Sequence, residues 1–204
     1  MAGAERDRSV FINCPFDPEY KPLFDAIQFA VAVCGFEARS ALEANDAGEV
    51  RLHKIVRLIS GARLNIHDIS RIELDRSAGL PRFNMPIELG IALGAKHLGS
   101  DATRDHALLV LDSERYRYQR FASDLAGVDI AAHGGEIQRV IAAVRDFLVP
   151  HTPASLPGAA AIRAAFDDFE QALPRIAEAA RQWLDELTYV DRLLHLQSFL
   201  EKRP

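Results

Sequence analysis

The chain lacks the motifs that would settle its chemistry at once. No glycine-rich loop follows its first apolar run. Asn13-Cys-Pro-Phe-Asp17 stands there instead, so neither a P-loop nor a dinucleotide fingerprint applies. No His-x-x-x-His or Cys-x-x-Cys pair offers zinc-site spacing, and no metal is expected. No Gly-x-Ser-x-Gly elbow marks a serine hydrolase. There are two cysteines, Cys14 and Cys34. They lie in separate segments and read as reduced and buried, which points to a cytoplasmic protein. Basic charge is not in excess: 24 Lys and Arg stand against 29 Asp and Glu, a net charge of −5. That gives no electrostatic case for nucleic acid or an anionic membrane as partner. No apolar run approaches the ~20 residues of a membrane span. Residues 1–8 are charged and lack the apolar stretch of a signal peptide.

What is present is an alternation of short apolar runs and helical periodicities. The 204 residues suffice for one full domain plus an appendage. Residues 9–13 predict a strand, and two prolines then build a shaped loop. Leu23, Ile27, Ala30, Val31 and Cys34 fall at helical spacing, closed by Gly35. Residues 36–42 predict a second strand. Asp46 and Glu49 have capping-box spacing, so a helix is expected from there to residue 62, with Leu52, Ile55, Val56 and Ile59 inward. Residues 64–68 predict a third strand with Asp68 at its tip. The polar connection 69–83 has the length of a lid or binding loop. The next helix, 86–97, should open with Met85 as cap and Pro86 at its first position. Glu88 is then the third helical residue, and Gly90 and Gly94 lie against the sheet. Residues 106–111 predict a central strand buried on both faces, 116–125 a short helix, 128–132 a strand and 134–148 a helix. This pattern predicts an α/β domain over 9–149, with a flavodoxin-like, five-stranded parallel sheet and helices on both faces. Residues 150–157, rich in proline, read as a linker. Beyond them Ile162, Phe166, Phe169, Leu173, Ile176, Ala180, Trp183, Leu187, Val190 and Leu194 form a seam of period about 3.5, which Pro174 must kink or split. Residues 158–204 are therefore expected as a helical extension that pairs with a second copy of the chain or packs back on the first domain.

In a doubly wound sheet the ligand crevice lies beyond the C-terminal strand ends. The loops expected there carry Asn13, Asp17, Glu43, Asp46, Asp68, Asn84 and Glu88. A carboxylate in a desolvated crevice can attack the anomeric carbon of an N-glycoside or stabilise the cation that forms. Glu88 reads as that group, while Asp68, Asn84 and Asn13 position the ribose or leaving base. Phe16 and Phe83 offer faces for a flat heterocycle, and Arg71, Arg76 and Arg82 suit a phosphate. Each has a structural alternative. Glu88 in a first helical turn serves the helix dipole and cap, Asp68 anchors a turn, and the phenylalanines close the edge of the core. His67, beside Ile66, reads as a core histidine.

Pro15-Phe16 after the first strand, Asp68 ending the third, and Ile87-Glu88-Leu89-Gly90 opening a helix resemble the nucleoside 2-deoxyribosyltransferase-like superfamily. The Toll/interleukin-1 receptor (TIR) domains that cleave NAD are similar in layout. The resemblance covers residues 9–149. It implies Glu88 as nucleophile, with Asp68 as the second catalytic residue. Asn13, Phe16, Asp17, Glu43, Arg82, Phe83 and Asn84 are then the substrate-binding set. There are departures: Arg82 stands where the deoxyribosyltransferases usually carry a base-binding aspartate, and Asn84-Met85 stands where the TIR enzymes usually carry Trp-Cys. An arginine suits phosphate, so the resemblance implies NAD or a related nucleotide as substrate, with no cofactor. It further implies a prokaryotic immune effector that acts as an assembly. The alternatives are a non-catalytic nucleotide-binding or signalling module of the same fold, and a nucleoside 2-deoxyribosyltransferase.

Overall fold

The computed structural model describes residues 2–43, 46, 48–72, 74–75 and 79–202. A short helix, α1 (Ala2–Arg8), leads into β1 (Ser9–Asn13), followed by α2 (Lys21–Val33), β2 (Glu37–Arg39), α3 (Arg51–Gly61) and β3 (Leu64–Asp68). A small antiparallel hairpin, β4 (Leu74–Asp75) and β5 (Leu80–Pro81), precedes α4 (Asn84–Leu98) and α5 (Asp101–Arg104). Then come β6 (Ala107–Asp112), β7 (Ile130–Ala132), α6 (Ile137–Leu148), α7 (Ala159–Ala179) and α8 (Tyr189–Glu201). One all-parallel sheet has the order β2-β1-β3-β6-β7, the flavodoxin-like arrangement expected. β1 and β3 are central and buried throughout. β1 carries Val10, Phe11 and Ile12 in a row, as a strand covered on both faces does, whereas β3 alternates Leu64 and Ile66 with the buried polar Asn65 and His67 and ends in the buried Asp68. The strand order reverses between them, so the crevice of this architecture lies beyond Asn13 and Asp68.

α2 shows how composition sets position. Every residue from Leu23 to Val31 is buried. Apolar residues occupy most of its circumference and the polar Asp25 and Gln28 are buried as well, so the helix needs cover on every side. The sheet supplies Val10, Ile12, Leu64 and Ile66, and α7 supplies Ile162, Phe166 and Phe169. Phe29 packs edge-on to Phe166 and stacks on Phe169, with ring centroids 5.5 and 5.8 Å apart. α7 and α8 thus form a third layer outside α2 and α6, within the same core. On the other face, Phe11 packs with Ile55, Leu58 and Ile59 of α3 and with Ala92 of α4. Met85 and Leu89 of α4 pack with Ile69, Val110 and Tyr118.

Several local expectations are corrected. Asp46 and Glu49 form no capping box: Asp46 Oδ1 accepts from Gly48 N–H at 2.8 Å in its own turn, and Glu49 pairs with Arg57. The helix starts at Arg51 and turns Ile55, Leu58 and Ile59 inward, leaving Leu52 and Val56 exposed. The apolar positions of this helix make a stripe wider than the sheet can cover. β2 is only Glu37–Arg39. In β6 the first half is only partly buried, because β7 pairs with it from Val110 onward. Residues 116–125 form two 3-10 turns, Arg117–Arg120 and Ser123–Leu125, rather than one helix.

α4 begins two residues earlier than predicted, with Phe83 at the cap. Pro86 is its third residue, where the missing N–H still costs no intrahelical bond. The buried face is Met85, Glu88, Leu89 and Ala92, while Gly90 is exposed; the glycines do not seat the helix on the sheet. α7 runs through Pro174 without a break. The seam holds only as far as α7. There Arg181, at φ 58°, closes a Schellman motif, with Gln182 N–H on Ala177 O and Arg181 N–H on Glu178 O, both 2.9 Å. α8 restarts from a Thr188–Asp191 capping box and buries Tyr189, Arg192 and Leu196. Trp183, Val190 and Leu194 are left exposed. The seam residues of α7, expected to meet a second copy or the first domain, pack on α2 and α6 of their own chain.

Candidate functional site

The helical register decides what Glu88 is. Ile87 N–H donates to Phe83 O at 3.0 Å, the first bond of α4. Glu88 is one residue further on, beyond the unpaired donors of the helix start. The cap reading therefore loses its basis. Glu88 is 6 % exposed and makes no hydrogen bond or ion pair with any described residue. Burial pushes its pKa up to about 7, against a weaker downward pull from Arg51.

On the face of the sheet that α4 covers, Asn13 and His67 sit side by side in register at the tips of β1 and β3. Asn13 Nδ2 donates to His67 Nδ1 at 3.0 Å. That bond leaves the His67 proton on Nε2, which has no partner, and Asn13 Oδ1 has none either. Burial lowers the His67 pKa to about 3, so the ring is neutral. Two unpartnered polar atoms in a dry layer are uncommon in native proteins, and they share their face of the sheet with α4 and Glu88.

Asp68, fully buried, closes β3. It accepts from the Tyr20 hydroxyl at 2.6 Å and from Ser70 N–H at 2.8 Å. His133, just past β7, has Nε2 3.1 Å from Asp68 Oδ2, at ion-pair distance but off the line of a hydrogen bond. Its Nδ1 accepts from Gly135 N–H at 2.9 Å, so the proton is on the Nε2 that faces Asp68. Burial and the neighbouring Asp68 charge hold the Tyr20 phenol well above its ordinary pKa, which keeps it a donor. At the tip of β6, Asp112 is held by Arg117, which also donates to Ile69 O at 2.9 Å.

Asp17 is the hinge between these strand tips and the long connection. It accepts from Tyr20 N–H at 3.0 Å, from Arg71 at 2.8 Å and from Arg82 at 3.3 Å. Burial raises its pKa, but the Arg71 hydrogen bond, the Tyr20 N–H and the two arginine charges outweigh that and leave it lowered.

Of the residues predicted for the site, Asp17 and Asp68 lie on the α2 side of the strand tips, Asp68 bound to Tyr20, whereas Glu88 lies on the buried side of α4, on the opposite face. Together with Asp25 their fields act on the buried Cys14 thiol, which burial first and these charges second hold well above its ordinary pKa. Asn13 stands beside Cys14 in the chain and faces α4. Phe16 is half-buried, edge-on to Phe24 with centroids 5.4 Å apart. Glu43 stands apart, bound through both oxygens to Arg39 at 2.8 Å. Phe83, at 56 % exposure, and Asn84 face outward at the start of α4. Arg76 lies outside the described residues. Tyr20, His67, Asp112, Arg117 and His133 were not predicted for the site. Strand-tip position was the available signal for Asp112 and His133, as it was for Asp68. A cavity of about 360 Å³ is lined by Tyr20, Ser70, Arg71, Ser113 and His133, and a second of about 260 Å³ by Phe16 and Asp17 among others. Neither Glu88 nor Asp68 lines them. Among the described residues no group of three His, Cys, Asp or Glu is placed to hold a metal, and no helix is long and apolar enough to cross a membrane. Neither the family models nor the curated proteins give a match to this chain.

Proposed function

We propose that the chain cleaves the N-glycosidic bond of NAD or a related nucleotide at a site centred on Glu88. The observation that carries this reading is a buried carboxyl without a partner, past the helix cap, with its pKa brought to about 7. A desolvated carboxylate of that kind is matched to a cationic transition state. As the C1′–N bond breaks, the base leaves with the bonding electrons. The Glu88 carboxylate stabilises the cation or bonds to C1′, and water then adds at C1′ to give the free sugar. Asn13 and Asp68, at adjacent strand tips, orient the ribose hydroxyls, and Arg82 faces phosphate. By its resemblance the protein acts in prokaryotic defence, with activity that depends on assembly.

Incubation with NAD, following nicotinamide release, tests this. Wild type should release it, and Glu88→Gln should lose about 10³-fold or more. Equal turnover by the two proteins removes the reading. A non-catalytic nucleotide-binding module is favoured by one observation, that neither strand-end cavity includes Glu88. It predicts binding without turnover, unaffected by Glu88→Gln. Transfer of deoxyribose between bases is disfavoured by Arg82, which stands paired with Asp17.

A further inference from the structure

The cavity of about 260 Å³ lies between the loop after β1, the outer side of α2 and the start of α8. Its wall is aromatic. Phe24 stands edge-on to Phe16 and stacks on Tyr189, at 5.8 Å and 20°. Four charged side chains also line it, and each is already answered. Asp25 takes Lys21 at 2.6 Å and Arg192 at 3.1 Å, while Asp17 takes Arg71 and Arg82. Two acids and two bases cancel, so the cavity offers no net charge to a ligand. One polar group is left over. Gln28, 2 % exposed, lines the cavity with an Nε2 that has no hydrogen-bond partner. It lies near the Tyr189 hydroxyl, whose pKa burial holds well above its ordinary value against a smaller downward pull from Gln28, but outside hydrogen-bond geometry, and that hydroxyl itself donates to Ala38 O at 2.8 Å. A buried amide donor without an acceptor costs about 1–3 kcal/mol, a cost that an acceptor on a bound molecule removes.

We propose that this cavity binds a neutral, planar heteroaromatic ring of nucleobase size, whose ring nitrogen or carbonyl accepts from Gln28 Nε2. The volume is below the ~300 Å³ at which drug-sized pockets begin, which suits one or two fused rings. The balanced charges select a neutral molecule, because an ion would enter without a counter-charge. Phe16 is the partition: it lines the cavity and also packs on the α3–α4 cluster, so the ring site is separate from the Glu88 face. Occupancy ties α8 to the loop whose Asp17 holds Arg71 and Arg82. The site does not rest on glycoside cleavage by Glu88.

Calorimetric titration of the full chain with adenine and with nicotinamide tests this. The two are neutral rings, one a free base and the other the ring that NAD cleavage releases. At least one should bind the wild type and raise its melting temperature by about 3 °C near saturation. Gln28→Leu should weaken binding about tenfold. Leu187→Trp, which fills the mouth from a half-buried position, should abolish it, and Glu88→Gln should leave it unchanged. Failure of both rings to bind the wild type overturns the proposal. So does undiminished binding by Leu187→Trp or Gln28→Leu, or loss of binding in Glu88→Gln, which would move the ring to the other face.

Discussion

Among single residues, Glu88 and its desolvation set the proposed chemistry and much of the pH dependence. With a pKa near 4.5 unfolded and about 7 folded, Glu88 is protonated in both states at low pH. Between those values the unfolded chain gives up a proton that the folded chain keeps. Stability therefore falls as pH rises from 4.5 to 7 and levels off above, a loss of about 3 kcal/mol. Glu88→Gln removes this slope. In denaturant titrations the variant should match wild type near about pH 4 and exceed it by about 3 kcal/mol near about pH 8; an equal difference at both pH values would show that Glu88 is not desolvated. Tyr20→Phe removes the hydroxyl from Asp68 and should cost about 2 kcal/mol, since it weakens the support of a buried carboxylate. Asn13, Asp17, Asp68 and Glu88 were legible in the sequence because parallel strands end on one edge, so residues at strand tips and helix starts gather there. The partners Tyr20 and His67 were not, because their contacts join positions 48 and 54 residues apart with no local signature.

At the scale of elements, periodicity revealed the helices but not where they start and stop. Two residues at the start of α4 moved Glu88 from the first turn to the second and changed its meaning. At the end of α7 the stop is Arg181 in a left-handed conformation, φ 58°, where glycine is the usual residue. The composition carried no warning of it, although Thr188 and Asp191 have the spacing that marks the restart. Arg181→Gly should relieve the side-chain clash of that conformation and raise stability by about 1 kcal/mol, visible as a higher melting temperature; a lower one would mean that the Arg181 side chain makes a contact of greater value. α8 is fastened by Arg192, which pairs with Asp25 of α2 and Glu170 of α7 and lies over the Phe169 ring at 5.2 Å. Removing it leaves Asp25 buried with only Lys21, so Arg192→Ala should cost about 3 kcal/mol.

At the scale of the molecule the fold class was legible from the alternation of strands and helices, and the strand order 2-1-3-6-7 follows the doubly wound pattern. The place of α7 and α8 was not. An apolar seam states that a face is covered without stating by what. The clue lay in α2, where between Leu23 and Val31 only Asp25 and Gln28 are polar, too narrow a strip for a helix with one wet side. Because α2 needs cover from α7, a chain ending at residue 157 should expose Phe24 and Phe29 and lose its cooperative thermal transition in circular dichroism; a sharp transition near the wild-type temperature would show that the sheet domain stands alone.

The most direct measurement is nicotinamide release from NAD, by wild type and Glu88→Gln, as a function of pH. Wild-type turnover should rise through about pH 7 as Glu88 ionises, and the variant should be slower by about 10³-fold or more. Equal release by both proteins, or a wild-type rate that is flat through that range, would contradict this role of Glu88.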